Sequence, residues 1–163
     1  MHDDEQLFEM LILEGFQAGL SWLTILRKRE SFRRAFHGFD ASRIARYGKR
    51  DQARLMNDGG IVRNRLKIEA AALNARAYLA VREEFASFDG FIWRFTGGRT
   101  LVDPAGMTKD RVRSKSPESD LMSKELLRRG FKFAGSTICY AFMQAVGIMD
   151  DHVEGCWKYR ARL

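Results

Sequence analysis

Apolar positions recur along this chain at helical spacing, and nowhere do they alternate over the length a strand needs. From Asp4 onward Leu7, Phe8, Leu11 and Ile12 fall at i, i+1, i+4 and i+5 behind an acidic first turn, which predicts an amphipathic helix ending near Gly15 to Gly19. Ser21 is placed to cap a second helix, Trp22 to about Phe36, with Arg27, Lys28, Arg29, Arg33 and Arg34 on its outer face and His37-Gly38 closing it. Short helices are expected from Asp40 and from Lys49 to Asp51, the second stopping at Asn57-Asp58-Gly59-Gly60, where paired glycines permit positive φ. The longest element is predicted over about Arg63 to Val81, with Ile68, Ala72, Ala75 and Leu79 on one side. Phe88 to Phe95 reads as an aromatic helix and Thr96 to Pro117 as a surface loop. Ser119 to Arg129 and Ser136 to Val146 complete the helices. With no internal repeat and no run of alternating β-branched residues, the fold class is all-α.

Composition adds a partner to this picture. The 163 residues, 45% of them hydrophobic, suffice for one helical domain spanning 1–163. Lys+Arg 28 against Asp+Glu 21 leaves a net charge of +7, which draws the chain toward polyanions, nucleic acid first. No stretch of about 18 apolar residues occurs, so no membrane partner is expected. The N-terminus opens with His2-Asp3-Asp4-Glu5 instead of an export signal, and Cys139 and Cys156 cannot make a disulfide framework. A reduced, cytoplasmic setting follows as the expectation.

Three stretches carry candidate chemistry. Asp58-Gly59-Gly60-Ile61-Val62-Arg63-Asn64-Arg65 lies between a short helix and the long one. Such a turn can aim successive backbone N–H groups and a helix N-terminus at one phosphate, with Arg63 and Arg65 beside it and Ile61 or Val62 pinning it to the core. It resembles a helix-hairpin-helix motif; an ordinary glycine-terminated helix and turn is the plain alternative. In Leu13-Glu14-Gly15-Phe16-Gln17-Ala18-Gly19-Leu20-Ser21-Trp22 a carboxylate follows an apolar run and a tryptophan opens the next helix. A buried Glu14 must be paired, hydrogen-bonded or protonated, a state common in active sites, although a structural arginine partner is the commoner use. Trp22 is most simply a core aromatic. His152 and Cys156, at i and i+4, place a nitrogen and a sulfur on one helical face, as two ligands of tetrahedral zinc would be, or as chance would leave them. Cys139, His2 and His37 bear no recognisable spacing to that pair.

Ordered blocks along the whole chain resemble the DNA-3-methyladenine glycosylase I family. They include Leu7-Phe8-Glu9-Met10, Leu13-Glu14-Gly15, Gln17-Ala18-Gly19-Leu20-Ser21-Trp22, Gly60-Ile61-Val62-Arg63, Arg129-Gly130-Phe131-Lys132-Phe133, Phe142-Met143-Gln144-Ala145 and Asp151-His152-Val153-Glu154-Gly155-Cys156. The resemblance implies an all-helical helix-hairpin-helix glycosylase that flips a nucleotide out of alkylated double-stranded DNA and releases N3-methyladenine. It further implies no redox cofactor and no covalent lysine intermediate. By the same resemblance Glu14 is the catalytic and base-binding carboxylate, Trp22 stacks on the base, Gly19 and Leu20 wedge into the gap, and Gly60, Ile61, Arg63 and Arg65 grip the backbone. His152 and Cys156 then match two of the four ligands of a structural zinc, and a monomer is the default.

The family's usual N-terminal block, which brings the other two zinc ligands and a pocket tyrosine, has no counterpart before His2. The chain is therefore expected to be truncated relative to the family, with a base pocket open on one side and zinc held by two ligands of four. The alternative function is a non-catalytic paralog or inactive fragment that binds DNA backbone alone. Glu14 and Trp22 favour the hydrolase, because backbone binding needs neither. No residue in the sequence stands out as the one that orients an attacking water.

Overall fold

The computed structural model describes residues 1–102, 108, 112–153, 156, 158 and 159. They form eight α-helices: α1 (Asp4–Gln17), α2 (Trp22–Ala35), α3 (Ala41–Ile44), α4 (Lys49–Met56), α5 (Arg65–Phe85), α6 (Phe88–Trp93), α7 (Pro117–Arg128) and α8 (Ser136–Val146). Short polar residues set most of the starts. Asp3, Ser21, Asp40, Asn64, Ser87 and Ser116 each accept a backbone N–H from the residue three positions on, satisfying donors that a helix leaves open.

These caps correct the predicted boundaries. Asn64 ends the turn before the long helix, so α5 begins at Arg65 instead of Arg63, and it runs on to Phe85, whose ring packs 5.1 Å from that of Phe91. Pro117 belongs to α7 instead of the preceding loop, because Ser116 caps the helix and a proline at its first position forfeits no hydrogen bond. The aromatic helix stops at Trp93 and tightens into a 3₁₀ turn over Arg94–Thr96. One feature had no signal in the sequence, a parallel pair of two-residue strands, β1 (Leu101–Val102) and β2 (Met149–Asp150), too short for any periodicity. The all-α class stands.

Helix α1 lies at the centre, with α2, α5, α6 and α8 packed around it. Every residue from Leu7 to Phe16 is buried, so the four-residue stripe seen in the sequence understates how fully the helix is enclosed. Phe16, Phe32, Phe36 and Phe39 stack at one side, while Phe8, Tyr78, Phe88, Phe91 and Phe131 fill the other. Glu9, buried on α1, is neutralised by Arg29 at 2.7 Å and Arg33 at 3.0 Å, which reach in from α2. No helix among the described residues is long and apolar enough to cross a membrane. Cys139 and Cys156 are both free thiols.

Candidate functional site

The last turn of α1, the first residue of α2 and the end of α8 enclose a cleft of about 390 Å³ lined by Glu14, Gln17, Trp22, Ala141, Gln144 and Ala145. That volume falls in the range of small-ligand pockets. Glu14 and Trp22 meet because the chain between them reverses tightly. Gly19 takes φ +79°, in the left-handed region that suits glycine, and Ser21 then caps α2 so that Trp22 opens the helix beside the cleft. Ala141 and Ala145, one turn apart on α8, contribute little bulk to the wall they form. Gln144 is exposed and donates from its side-chain amide to the Asp151 carboxylate at 2.8 Å. The Tyr140 hydroxyl and an Arg113 guanidinium nitrogen donate to the same carboxylate.

Two buried glutamates on α1 have opposite electrostatic fates. Glu9 faces two arginines, whereas the Glu14 carboxylate has no ion pair or hydrogen bond among the described residues. Glu14 is 3% exposed, and desolvation pushes its pKa up to about 7 from 4.5. The structural use that a helix glutamate usually has, pairing with an arginine, is taken by Glu9, five residues earlier on the same helix. Glu14 is left as an unpartnered carboxylate facing a cleft with an aromatic face in it, a setting that suits a cationic planar guest.

The other predicted residues lie alongside. Leu20, 40% exposed, projects from the loop after α1, which Gln17 closes by accepting the Leu20 N–H at 2.7 Å and donating its side-chain amide back to the Leu20 carbonyl. Between α4 and α5 the turn at 57–64 buries Ile61 at 3% exposure and leaves Arg63 exposed, as expected, but neither Gly59 nor Gly60 takes positive φ, and the Gly60 N–H is donated to Asp58 at 2.7 Å. Lys28 of α2 donates to the Gly59 carbonyl at 3.0 Å, tying this hairpin to the helix that carries Trp22. A Cβ on Gly60 would lie 2.9 Å from Asp58 Oδ1 and 3.0 Å from the Ser31 Cβ of α2, so a side chain there would have to displace both neighbours by a few tenths of an ångström. Arg65 is exposed and bound to Glu69 on its own helix at 2.8 Å.

A family model described as methyladenine glycosylase matches residues 1–159. The chain belongs to the methyladenine glycosylase family. It is 48% identical to DNA-3-methyladenine glycosylase 1 of Escherichia coli over 96% of its own length and 83% of that protein's. Its fold superposes with a TM-score of 0.94 on a crystal structure of 3-methyladenine DNA glycosylase I, at 46% identity over 98% of this chain and 87% of that one. A second solved structure, addressing 3-methyladenine recognition by the Staphylococcus aureus enzyme, gives a TM-score of 0.92 at 34% identity, covering 99% of this chain and 86% of that one.

In this methyladenine glycosylase fold His152 and Cys156 lie in the segment after β2, and His152 lines a second cavity that shares Gln144 and Ala145 with the Glu14 cleft. The His152 Nδ1 and Cys156 Sγ atoms lie 3.6 Å apart, close to the edge of about 3.5 Å that nitrogen and sulfur ligands of tetrahedral zinc would share. Among the described residues no third histidine, cysteine or carboxylate joins them in a group that could hold a metal ion. Sequence reasoning overlooked Glu9, Gln17, Asp151 and the buried Lys67. Glu9 and Lys67 each interrupt an apolar stripe, which was the available signal; Asp151 carried none, because its partners come from α8 and Arg113.

With a folded-state pKa near 7 against 4.5, Glu14 holds more protons in the native protein than in the unfolded chain. The associated stability is fully present below about pH 4.5 and is lost as pH rises through 7. Glu14→Gln lacks this titration, so its melting temperature gains on the unsubstituted protein as pH is raised from about 5 to about 8. Thermal melts across that range check it, and a constant difference would mean that the carboxylate is solvated.

Proposed function

We propose that this chain is a DNA-3-methyladenine glycosylase that hydrolyses the N-glycosidic bond of N3-methyladenine in alkylated double-stranded DNA, acting as a monomer. The observation that carries the reading is the convergence of an unpartnered buried carboxylate, Glu14, and an aromatic face, Trp22, in one cleft beside an exposed loop leucine. N3-methylation leaves a delocalised positive charge on adenine, so the base is already a good leaving group and no strong general acid is required. An electron-rich cavity is required: Trp22 stacks on the cation, and Glu14 accepts charge-assisted hydrogen bonds from it. Together they favour the cationic lesion over neutral adenine by a few kcal/mol, about two decades in selectivity.

Binding the cation alone would slow departure, since the base becomes neutral as the bond breaks. The compensating stabilisation falls on the sugar as it becomes oxocarbenium-like, through DNA phosphates and oriented water. In this reading Gly19 and Leu20 fill the gap left by the flipped nucleotide, and the helix-hairpin-helix formed by α4, the turn with Gly60 and Ile61, and α5 holds the backbone, with Arg63 and Arg65 beside it. A binder of DNA backbone alone would not keep Glu14 unpaired at such desolvation cost. His152 and Cys156 serve a structural zinc site rather than the reaction. As two ligands of four they hold the metal weakly.

Glu14→Gln should lower release of free N3-methyladenine from methylated duplex about 10- to 100-fold while leaving affinity for undamaged duplex unchanged. In the unsubstituted protein kcat/KM should rise with pH through about 7 as the carboxylate ionises, and the profile of the variant should be flat over that range. Unaltered excision would remove Glu14 from the mechanism. Arg63→Ala should weaken binding to all duplex sequences alike and reduce the slope of log affinity against log salt by about one unit; an effect confined to one sequence would contradict a phosphate contact. Metal analysis of the purified chain should find far less than one zinc per chain, and a tightly held stoichiometric ion would overturn the half-site assignment.

A further inference from the structure

Lys67 is a buried cation at the junction between the hairpin and the loop after α1. It stands in the first turn of α5, its backbone N–H donated to the Asn64 cap, and it is 7% exposed. Its ammonium donates to the carbonyl oxygens of Phe16 at 2.8 Å and Ala18 at 2.6 Å, and it faces the Phe133 ring at 5.9 Å. Because α1 ends at Gln17, these carbonyls belong to the end of a helix, where oxygens lack partners within the helix and a cation complements the partial negative charge.

The arrangement is more elaborate than core packing requires. Burying an ammonium is costly, and desolvation lowers the Lys67 pKa, whereas an apolar side chain would fill the same space without that penalty. Among the described residues its partners are two carbonyls and a ring, all gathered at the end of α1. Phe133 itself is held at φ +52°, a strained conformation for a phenylalanine. The flanking Lys132 is clamped by buried Asn74, which accepts its N–H at 2.7 Å and donates to its carbonyl at 3.1 Å. Glu14 gains nothing from the ammonium, since its shift arises from desolvation alone. What Lys67 fastens is Ala18, the residue on which Gly19 and Leu20 are hung.

We propose that Lys67 is a positioning residue for nucleotide flipping, tying the root of the Gly19-Leu20 wedge to the first turn of the hairpin's second helix so that wedge and backbone grip keep a fixed offset. This rests on the proposed function, in which Leu20 enters the duplex. Without the ammonium the loop is free to shift by the ångström or so that is enough to degrade a reaction geometry.

Lys67→Met keeps the length and apolar stem and removes the donors. Two substrates test it: a methylated oligonucleotide annealed to its full complement, and the same strand annealed to a complement with abasic sites opposite its adenines, where no base pair has to be broken. Single-turnover excision from the paired duplex should fall about 10- to 100-fold, with little loss on the unpaired one. Free N3-methyladenine should quench tryptophan fluorescence with unchanged affinity. In a Leu20→Ala background, adding Lys67→Met should cost little more, because both changes act through one loop. Lower stability alone would reduce excision from both substrates equally, so an equal loss overturns the proposal. Weakened free-base binding, an additive double variant or full activity on the paired duplex would do the same. Inactivity of the unsubstituted chain on both substrates would instead remove the proposed function, and this inference with it.

Discussion

A helix buried along ten consecutive residues has to dispose of every charge it carries and every carbonyl it leaves open, and α1 meets this constraint in three different ways. At Glu9 two arginines from α2 cancel the charge. At its C-terminal end an ammonium from α5 takes up two carbonyls. At Glu14 nothing does, and the carboxylate is left with a raised pKa facing a cleft. The surrounding helices are placed by the first two solutions. The third is the one that chemistry can use, since a desolvated carboxylate binds an incoming cation far more strongly than a solvated one.

On the proposed function, selectivity in this site follows from charge more than from shape. The cleft presents one aromatic face and one carboxylate, with Gln17 beside them and Ala141, Gln144 and Ala145 on the α8 wall. A pocket of this kind distinguishes poorly between similar neutral bases and well between neutral and cationic ones, which is the distinction that alkylation creates. On the same proposal, the glycosidic bond weakened by methylation supplies the rest of the driving force, and the protein's part is to extract and hold the base.

How much of this the sequence disclosed depended on the range of each interaction. Helical spacing revealed all eight helices, because it is a local property, and the Glu14 and Trp22 blocks were legible through the family resemblance. The boundaries at Arg65 and Pro117 moved because a single capping side chain overrides periodicity at a helix start. The strand pair joins segments some fifty residues apart through two residues each, below any pattern. Lys67 and Asn74 were missed for a related reason, since each finds its partner more than fifty residues along the chain, and Asp151 because it gathers partners from Arg113 and α8; their residue types alone predict exposure.

Gly60 packs so closely on the Ser31 side chain that no side chain of its own stands between the hairpin and α2, and Lys28 bonds the same turn, so hairpin and helix form one packed unit. On the proposed function, that body is a ruler. One mark is the phosphate held at the hairpin and the other is the ring of Trp22 at the mouth of the cleft, with the distance between them set by a missing methyl group. On that function, a shift of the phosphate grip shifts the cleft with it, because both are carried by the same packed unit.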